Sequence, residues 1–505
     1  MNTGTKPSNA DLKAVLCALI ALTLAFHVGS ALRGRGQFRD IHFGTALHYV
    51  QTKISLADTV IVGFNATGTP TIQELPVWQA AAGLAFKLLG PWWGWGNVVS
   101  LALFLPCLFP LFQVARIYLD ERRAWWVLIF FLAEPLVFIN AGKAGTDGFS
   151  LAMAIGFLYC GVKLVREPGM KWLVLACACG SLTAVSKLPF FMVTGLALFF
   201  LALWQSGFDF QRLGFLAAAG GVAGVVFLLW THYTDAKQAN ALFPLVDLRF
   251  KNPEMMFWYL GDWHYRLSVG NWIKGGWRSL TALLGSFVLA GLVAFALANK
   301  KGNPLARCLL AGALLTTLVF SHLVLQHWHY YLMFAPAVAL LCAEGLAVFE
   351  MRFAPQGSKP AFSLFVSGLI GLSLLQGLMG MKSLTYDPYP AKMADIIRVQ
   401  TVPTDKLVIM GGGWGGEELF RSNRQGFSVW NAQIFDDPAN YAKLKSLGYN
   451  KLVMINESPF QNAIQVVNPG QADFPRKLYR DQVTPLVGKW PTGFQTEDIL
   501  IKEIP

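Results

Sequence analysis

Charged residues are scarce in this chain, and the scarcity limits what the protein can be. Only 14% of its 505 residues are Asp, Glu, Lys or Arg, whereas a soluble domain carries about 25%. The long apolar runs lie in residues 1–380, and residues 381–505 have an ordinary soluble composition. The composition therefore excludes a soluble protein over most of the length. It predicts a membrane domain followed by a smaller globular domain.

Cysteine is missing from every polar stretch. The seven cysteines lie in or beside apolar segments: Cys17, Cys107, Cys160, Cys177, Cys179, Cys308 and Cys342. This placement excludes a disulfide framework and a cysteine-based zinc site. The sequence also has no internal repeat and no nucleotide-binding loop, because the glycine-rich run 411–416 lacks the P-loop lysine and the dinucleotide spacing. We interpret that run as a tight turn between a strand and a helix.

Eleven apolar runs are long enough to predict transmembrane helices. They cover residues 14–32, 96–115, 124–140, 148–165, 172–186, 189–204, 213–230, 279–298, 308–325, 330–349 and 361–380. The first run is long for a signal peptide and no small-residue cleavage site follows it, so it is counted as a span. The sequence thus predicts an α-helical polytopic membrane protein with about eleven transmembrane helices.

Basic residues are concentrated in alternate loops. The rich loops contain Arg116, Arg122, Arg123, Lys163, Arg166, Lys171, Lys300, Lys301, Arg307, Arg352 and Lys359. The short loops on the opposite side have little beyond Lys143 and Lys187. The positive-inside rule places the rich loops and the N-terminus in the cytoplasm. An odd number of spans then places the C-terminal domain on the periplasmic side of an inner membrane. The net charge of +12 is explained by these loops, so nucleic acid is not an expected partner.

Two outer loops are long, at 33–95 and 232–278. The first contains two amphipathic stretches, 41–54 and 76–90, which predict helices on the membrane surface. The second is rich in aromatic residues: Trp258, Tyr259, Trp263, Tyr265, Trp272 and Trp277. These residues fit either an interfacial aromatic belt or a wall for a lipid carrier.

The region 381–505 alternates helical and extended patterns. Residues 391–399 and 440–447 predict helices, and residues 406–410 and 451–455 predict strands. A small α/β domain is the fold expected from this alternation.

Acidic residues near the outer face are the first candidates for chemistry. Asp40 follows the first span and fits either a helix N-cap or a general base. Glu74 precedes Pro76, and both suit the start of a surface helix. Asp147 opens the fourth span and is also a plausible N-cap. Glu134 lies inside the third span, where a carboxylate is costly unless it is paired or hydrated.

Basic and aromatic residues at span boundaries are the second group. Lys187 fits either a partner for a phosphate or a lysine whose stem is buried and whose head reaches the headgroups. His329 and Tyr330 begin the tenth span and suit hydrogen bonding to a phosphate. We expect His327 and His329 to point in different directions on a helix, which disfavours a metal site.

The order of these residues resembles the GT-C superfamily, specifically the dolichyl-phosphate-mannose protein mannosyltransferases (glycosyltransferase family 39) and the bacterial transferases that attach aminoarabinose to lipid A. The elements are an acidic residue after the first span, then Glu74-Leu75-Pro76, Asp147, Lys187-Leu188-Pro189 and His329-Tyr330-Tyr331. The family's Asp-Glu pair is Arg39-Asp40 here, and its Lys-Gly-Pro element is Lys187-Leu188-Pro189. These departures bear on the substrate more than on the fold.

The resemblance implies a sugar donor on undecaprenyl or another polyprenyl phosphate, and a lipid, glycan or protein acceptor. Asp40 would be the general base, and Lys187 would neutralise the departing phosphate with help from His329 and Tyr330. Glu74 and Asp147 would orient Asp40 or bind sugar hydroxyls, and direct displacement would invert the anomeric centre. Some relatives use a divalent cation. This sequence shows no recognisable metal spacing, and cation dependence stays open.

Two other functions fit parts of the sequence. A transporter would explain the spans and Glu134, but it usually shows a repeat or broken helices near the midplane. A surface-polysaccharide polymerase or ligase would also use lipid-linked sugars. Convergence of Asp40, Asp147 and Lys187 on one outward-facing cavity would favour the transferase.

Overall fold

A computed structural model describes most of the chain. The described residues are 8–32, 40–57, 74–90, 92, 94–239, 252–285, 287–300, 302–353, 359–383, 389–410, 417–429, 433–435, 437–455, 484–496 and 498–505. The glycine-rich run 411–416 lies outside them.

Helices make up the apolar part of the chain, as predicted. Their bounds are α1 Asn9–Leu32, α2 Asp40–Gln51, α3 Val77–Leu89, α4 Gly94–Phe104, α5 Leu108–Tyr118, α6 Glu121–Ala133, α7 Pro135–Ala141, α8 Thr146–Arg166, α9 Met170–Ser186, α10 Leu188–Ser206, α11 Phe210–Ala239, α12 Pro253–Leu260, α13 Trp263–Leu267, α14 Val269–Ser279, α15 Phe287–Ala298, α16 Pro304–Val319, α17 Ser321–Gln326, α18 Ala335–Phe353 and α19 Lys359–Ser383. Short 3₁₀ segments cover Leu105–Cys107 and Trp328–Phe334, and Leu280–Leu284 is a π-helical turn.

Each of the eleven predicted spans falls on helical residues. Within the described part of the chain, six helices are long and apolar enough to cross a membrane, or seven if the bent pair α6–α7 is one span. The other four predicted spans fall on α9, α15, α16 and α19, whose apolar stretches are the shorter segments Met170–Ser186, Leu289–Ala298, Pro304–Val319 and Val366–Met379. The exact number of crossings therefore stays a prediction.

The third predicted span is broken rather than continuous. The axes of α6 and α7 differ by 71°, and Glu134 is the residue between them. Proline cannot donate a helical hydrogen bond and clashes with the preceding turn, so Pro135 ends one helix and starts another.

The C-terminal region folds as an α/β domain, as predicted. Its helices are α20 Tyr389–Gln400, α21 Glu417–Ser422, α22 Pro438–Ser446 and α23 Thr484–Val487, and its strands are β1 Lys406–Met410, β2 Gln425–Val429, β3 Tyr449–Ile455, β4 Thr492–Gln495 and β5 Ile499–Glu503. The sheet order is β2-β1-β3-β5-β4, with β2, β1 and β3 parallel and the last two pairings antiparallel.

Both faces of this sheet are covered, which explains the uninterrupted apolar character of β1. Side chains alternate across a strand, so Leu407 and Ile409 pack on one face with Met393 and Leu419, and Val408 enters the core on the other face. Parallel strands buried on both sides have this pattern.

The chain divides into two compact units. One comprises Met1–Arg35, Asn97–Trp230 and Lys251–Leu384, and holds most of the apolar helices. The other comprises Gly36–Gly96, Thr231–Phe250 and Thr385–Pro505. Contacts thus group residues of both outer loops with the C-terminal domain, whereas the sequence was divided at residue 380.

Candidate functional site

Lys187 is the residue between α9 and α10. It is the C-cap of α9 and also the N-cap of α10, with extended backbone at φ −157° and ψ 99°. Pro189 suits the first turn of α10, where its missing N–H costs nothing, and disfavours a helical conformation for the residue before it. The sequence Lys187-Leu188-Pro189 therefore fixes the point at which one helix stops and the next begins.

The side chain of Lys187 is buried against Asp147. The lysine Nζ lies 3.1 Å from Asp147 Oδ1, and the two side chains are 2% and 4% exposed. Taking two charges out of water is costly unless they are paired, so this contact explains how both remain at an apolar position. The burial contradicts the interpretation of Lys187 as a lysine that reaches the headgroups.

Asp147 lies in the first turn of α8 but is not its N-cap. The N-cap is Gly145, whose φ of 145° is accessible mainly to glycine, and Thr146 is the first helical residue. The N-cap interpretation of Asp147 is therefore wrong. Its carboxylate still benefits from the positive end of the helix, and it is directed to Lys187.

Tyr330 and His329 complete the cluster. Lys187 Nζ lies 5.0 Å from the centre of the Tyr330 ring, a cation–π distance. The rings of His329 and Tyr330 are 4.6 Å apart. Four of the six predicted site residues, Asp147, Lys187, His329 and Tyr330, are thus brought together; we call them the lysine cluster.

The rings of His327 and His329 lie close together, contrary to expectation. Their ring centres are 5.5 Å apart, because His327 has extended backbone and a 3₁₀ helix rather than an α-helix begins at Trp328. The prediction that they point in different directions is wrong. Among the described residues, no group of three or more His, Cys, Asp or Glu side chains is placed to hold a metal ion.

Lys143 is a candidate site residue that was not predicted from the sequence. Its Nζ lies 5.4 Å from the ring centre of Trp328, the residue between the two histidines. The loop that carries it is fixed by Asn97 Nδ2, which donates to Gly142 O at 2.6 Å, and by Ser100 Oγ, which donates to Lys143 O at 2.8 Å. The signal for Lys143 was present: it is one of two basic residues in the short outer loops.

Glu134 lies apart from these contacts. It is 2% exposed at the bend between α6 and α7, and neither carboxylate oxygen has a hydrogen-bond partner within the described residues. The sequence correctly placed Glu134 inside the third predicted span, and Glu134 is the residue at which that span bends.

Asp40 and Glu74 belong to the other compact unit. Asp40 is the first residue of α2, whereas the N-cap interpretation placed it just before the helix, and its side chain lies outside the described residues. Glu74 precedes α3, whose N-cap is Pro76; the proline therefore stands one residue before the first turn rather than in it. Its non-helical φ of −82° and ψ of 49° are the reason.

The aromatic second loop contains two populations of side chains. Trp258 lies 5.0 Å from the His327 ring and 5.4 Å from the His322 ring, which extends the aromatic surface of the lysine cluster. Trp263 and Trp277 are 74% and 60% exposed, as expected for an interfacial belt. Ring contacts to the histidines thus distinguish Trp258 from the two more exposed tryptophans, and the interpretation of the loop as a wall for a lipid carrier stays a prediction.

Tyr265, like Trp258, contacts the ring of His322. Its ring lies 4.8 Å from that of His322, and its hydroxyl accepts a hydrogen bond from Gln326 Nε2 at 3.0 Å. Burial raises the pKa of the Tyr265 phenol above its ordinary value, with the Gln326 hydrogen bond acting in the opposite direction. The phenol thus remains protonated at neutral pH and available as a donor.

Solved structures with the same fold include two glycosyltransferases. ArnT from Cupriavidus metallidurans bound to undecaprenyl phosphate superposes with a TM-score of 0.63 at 12% identity, over 99% of each chain. Its apo form gives 0.62 at 13% identity, over 97% of this chain and 98% of that one. The Archaeoglobus fulgidus oligosaccharyltransferase gives 0.53 at 11% identity, over 89% of this chain and 70% of that one; it has also been solved with zinc and sulfate.

Comparison of sequences finds no match, in contrast to comparison of structures. No family model matches the chain, and no curated protein matches it. At 11–13% identity, three-dimensional likeness establishes the fold and leaves the chemistry to the residues. The predicted resemblance is confirmed at the level of the fold, which the chain shares with ArnT and with the oligosaccharyltransferase.

Proposed function

We propose that the protein is an integral membrane glycosyltransferase that moves a sugar from a polyprenyl-phosphate donor to an acceptor hydroxyl on the outer face of the membrane. The observation that carries the proposal is the buried pair of Lys187 and Asp147 beside Tyr330 and His329. This ion pair occurs in a fold whose solved examples include a protein bound to undecaprenyl phosphate.

Lys187 is the proposed partner of the carrier phosphate. A buried ammonium acts in a medium of low dielectric constant, where its attraction for a phosphate is stronger than in water. Asp147 holds it in place at 3.1 Å, a role that replaces the contact with Asp40 or a sugar hydroxyl suggested by the sequence. Tyr330 and His329 lie beside Lys187 and supply further hydrogen-bond donors, and Lys143 lies against Trp328, the residue before His329.

The proposed reaction is a single displacement. The Asp40 carboxylate accepts the proton of the acceptor hydroxyl as the hydroxyl oxygen bonds to the anomeric carbon. The bond from that carbon to the phosphate oxygen breaks, and the electron pair leaves with the phosphate. Attack opposite to the leaving group inverts the anomeric centre. Since the phosphate gains negative charge in this step, Lys187 stabilises the transition state more than the ground state. Glu74 is the proposed contact for sugar hydroxyls.

One observation favours the transporter alternative. A broken helix with a buried carboxylate, α6–α7 at Glu134, is a feature of many transporters. The likeness to ArnT over 99% of both chains favours the transferase.

The experiment has two parts. Mass spectrometry of surface glycolipids compares cells with wild-type protein, cells without it and cells with Lys187→Gln, and the purified proteins are titrated with undecaprenyl phosphate in detergent. We expect one glycosylated product to require the protein and to be lost with Lys187→Gln, together with weaker binding of undecaprenyl phosphate. Unchanged glycans and no binding by the wild type would contradict the proposal.

A further inference from the structure

The C-terminal domain inserts one side chain between α2 and α3. Phe420, on α21, lies 5.4 Å from the ring of Phe43 on α2 and 5.5 Å from the ring of Phe86 on α3. Phe420 is 6% exposed, and Phe43 and Phe86 are each 1% exposed. Such edge and tilted ring contacts stabilise a specific arrangement beyond the area they bury.

The receiving surface is built to leave little room for movement. Phe43 and Phe86 stack at 6.0 Å, and Trp78 closes one side at 5.5 Å from Phe43. A Cβ on Gly96 would lie 2.5 Å from the Phe43 ring, so the backbone of Gly96 is in direct contact with it. Around these rings, His42 Nδ1 and Gln79 Nε2 join α2 to α3 at 2.7 Å.

The side of Phe420 that faces its own domain is also fixed. The adjacent Leu419 is 1% exposed and packs into the sheet core with Leu407. Arg424, just after α21, donates to the carbonyl oxygens of Arg398 at 3.0 Å and Thr401 at 2.7 Å, which ties the segment to the end of α20. The α/β fold therefore sets the position of Phe420.

The contact lies one helical turn from Asp40. Asp40 begins α2, and Phe43 is three residues later, so the two positions share one face of the helix. We infer that Phe420 is a positioning residue for the reaction, through which the C-terminal domain holds α2, and with it Asp40, in a catalytically productive place. The inference rests on the proposed role of Asp40 as general base, and it gives the C-terminal domain a function.

The test separates turnover from donor binding. In Phe420→Ala we expect product glycolipid per molecule of protein to fall on the order of 10²-fold, the loss associated with small misplacement of a reacting group. Affinity for undecaprenyl phosphate should change by less than about twofold, because binding that is common to ground and transition states is not affected. Phe420→Leu, which keeps part of the volume, should lie between wild type and Ala.

Phe427→Ala is the matched control. Phe427 is fully buried in the same domain, on the sheet beside Tyr449 at 5.0 Å, and belongs to a core cluster that does not include Phe420. At equal amounts of folded protein it should retain near-normal product formation. The inference is overturned if Phe420→Ala keeps wild-type product formation, or if Phe427→Ala loses as much.

A second measurement tests the contact itself. Thermal unfolding of Phe43→Leu, Phe420→Leu and the double variant should show non-additive shifts in the midpoint, because neighbouring residues couple energetically. The pair Phe43→Leu with Phe427→Leu should be additive. Additivity for the first pair would overturn the inference. Asp40→Asn, assayed in parallel, decides the role of Asp40 independently: full activity there with loss in Phe420→Ala would reject the base and retain the importance of α2.

Discussion

The lysine cluster and the α2–α3–α21 contact are held by different forces. The first is a dry ion pair with an aromatic partner, built at the ends of α8, α9 and α10. The second is a set of interlocked rings around Phe420. A charge pair fixes one atom in space, whereas ring packing fixes a whole helix. In the proposed reaction, the first region should therefore affect both donor binding and turnover, and the second should affect turnover alone.

The largest effect that would sharpen this contrast is expected at Asp40. Asp40→Asn keeps the shape and removes most of the basicity, so we expect turnover to fall roughly 10²- to 10⁴-fold, the usual contribution of a general base. Binding of undecaprenyl phosphate should be unchanged. Product formation and titration of the purified variant are the measurements, and near-normal turnover in a folded Asn variant would remove Asp40 from the mechanism.

Lys187→Gln should weaken donor binding as well as turnover, unlike Asp40→Asn, because it removes the charge of the lysine cluster. A hydrogen bond to a charged group contributes about 1.5–3 kcal/mol, which corresponds to roughly 10- to 150-fold in affinity for undecaprenyl phosphate. Turnover should fall at least as much. Lys187→Arg serves as the charge-retaining comparison. If Gln matches wild type in both measurements, the carrier phosphate binds elsewhere.

Asp147→Asn tests how much the Lys187–Asp147 ion pair contributes to stability, rather than the binding of undecaprenyl phosphate. Removing one partner of a buried ion pair typically costs about 3–5 kcal/mol, so the thermal midpoint in detergent should fall clearly. The matched control is Asp395→Asn, whose pair with Arg398 is exposed at 67% and 58% and should contribute at most about 1 kcal/mol. Equal midpoints for the two variants would show that the Lys187–Asp147 contact contributes little.

Lys143→Met should give the smallest of these effects. Its side chain is only partly buried beside Trp328, and a partly exposed charge pair contributes about 1 kcal/mol or less, so we expect a loss of up to about fivefold in affinity for undecaprenyl phosphate. Lys171→Met is the control, because Lys171 lies 5.2 Å from Trp172 in the same kind of contact at the predicted cytoplasmic side. Equal losses would point to general stability instead of phosphate binding.

Local features of the fold were accessible from the sequence. Apolar runs located the helices, since a span is defined by its own composition, and β1 was predicted at its observed bounds, Lys406–Met410. β2 was missed because Gln425–Val429 contains a glycine and a serine and has little strand character by itself. Its assignment depends on pairing with β1, which a local pattern does not contain.

The site was predicted in its members but not in its connections. Asp147 and Lys187 were each singled out at a span boundary, yet their contact joins residues forty positions apart and had no local signature. The approach of His327 to His329 was missed for a different reason: an α-helix was assumed where the backbone is extended and then 3₁₀. Phe420 gave no signal, because an apolar residue in a small domain is expected in that domain's own core.

The double role of Lys187 as the end of α9 and the start of α10 has a mechanical consequence. Its ammonium belongs to neither helix alone, so any change in the angle between these helices displaces it relative to Asp147. α9 has 17 residues and α10 has 19, short lengths for crossing a bilayer of about 30 Å. The affinity of the lysine cluster for phosphate should consequently depend on the acyl-chain length of the surrounding lipid, which makes membrane thickness a physical variable of donor binding.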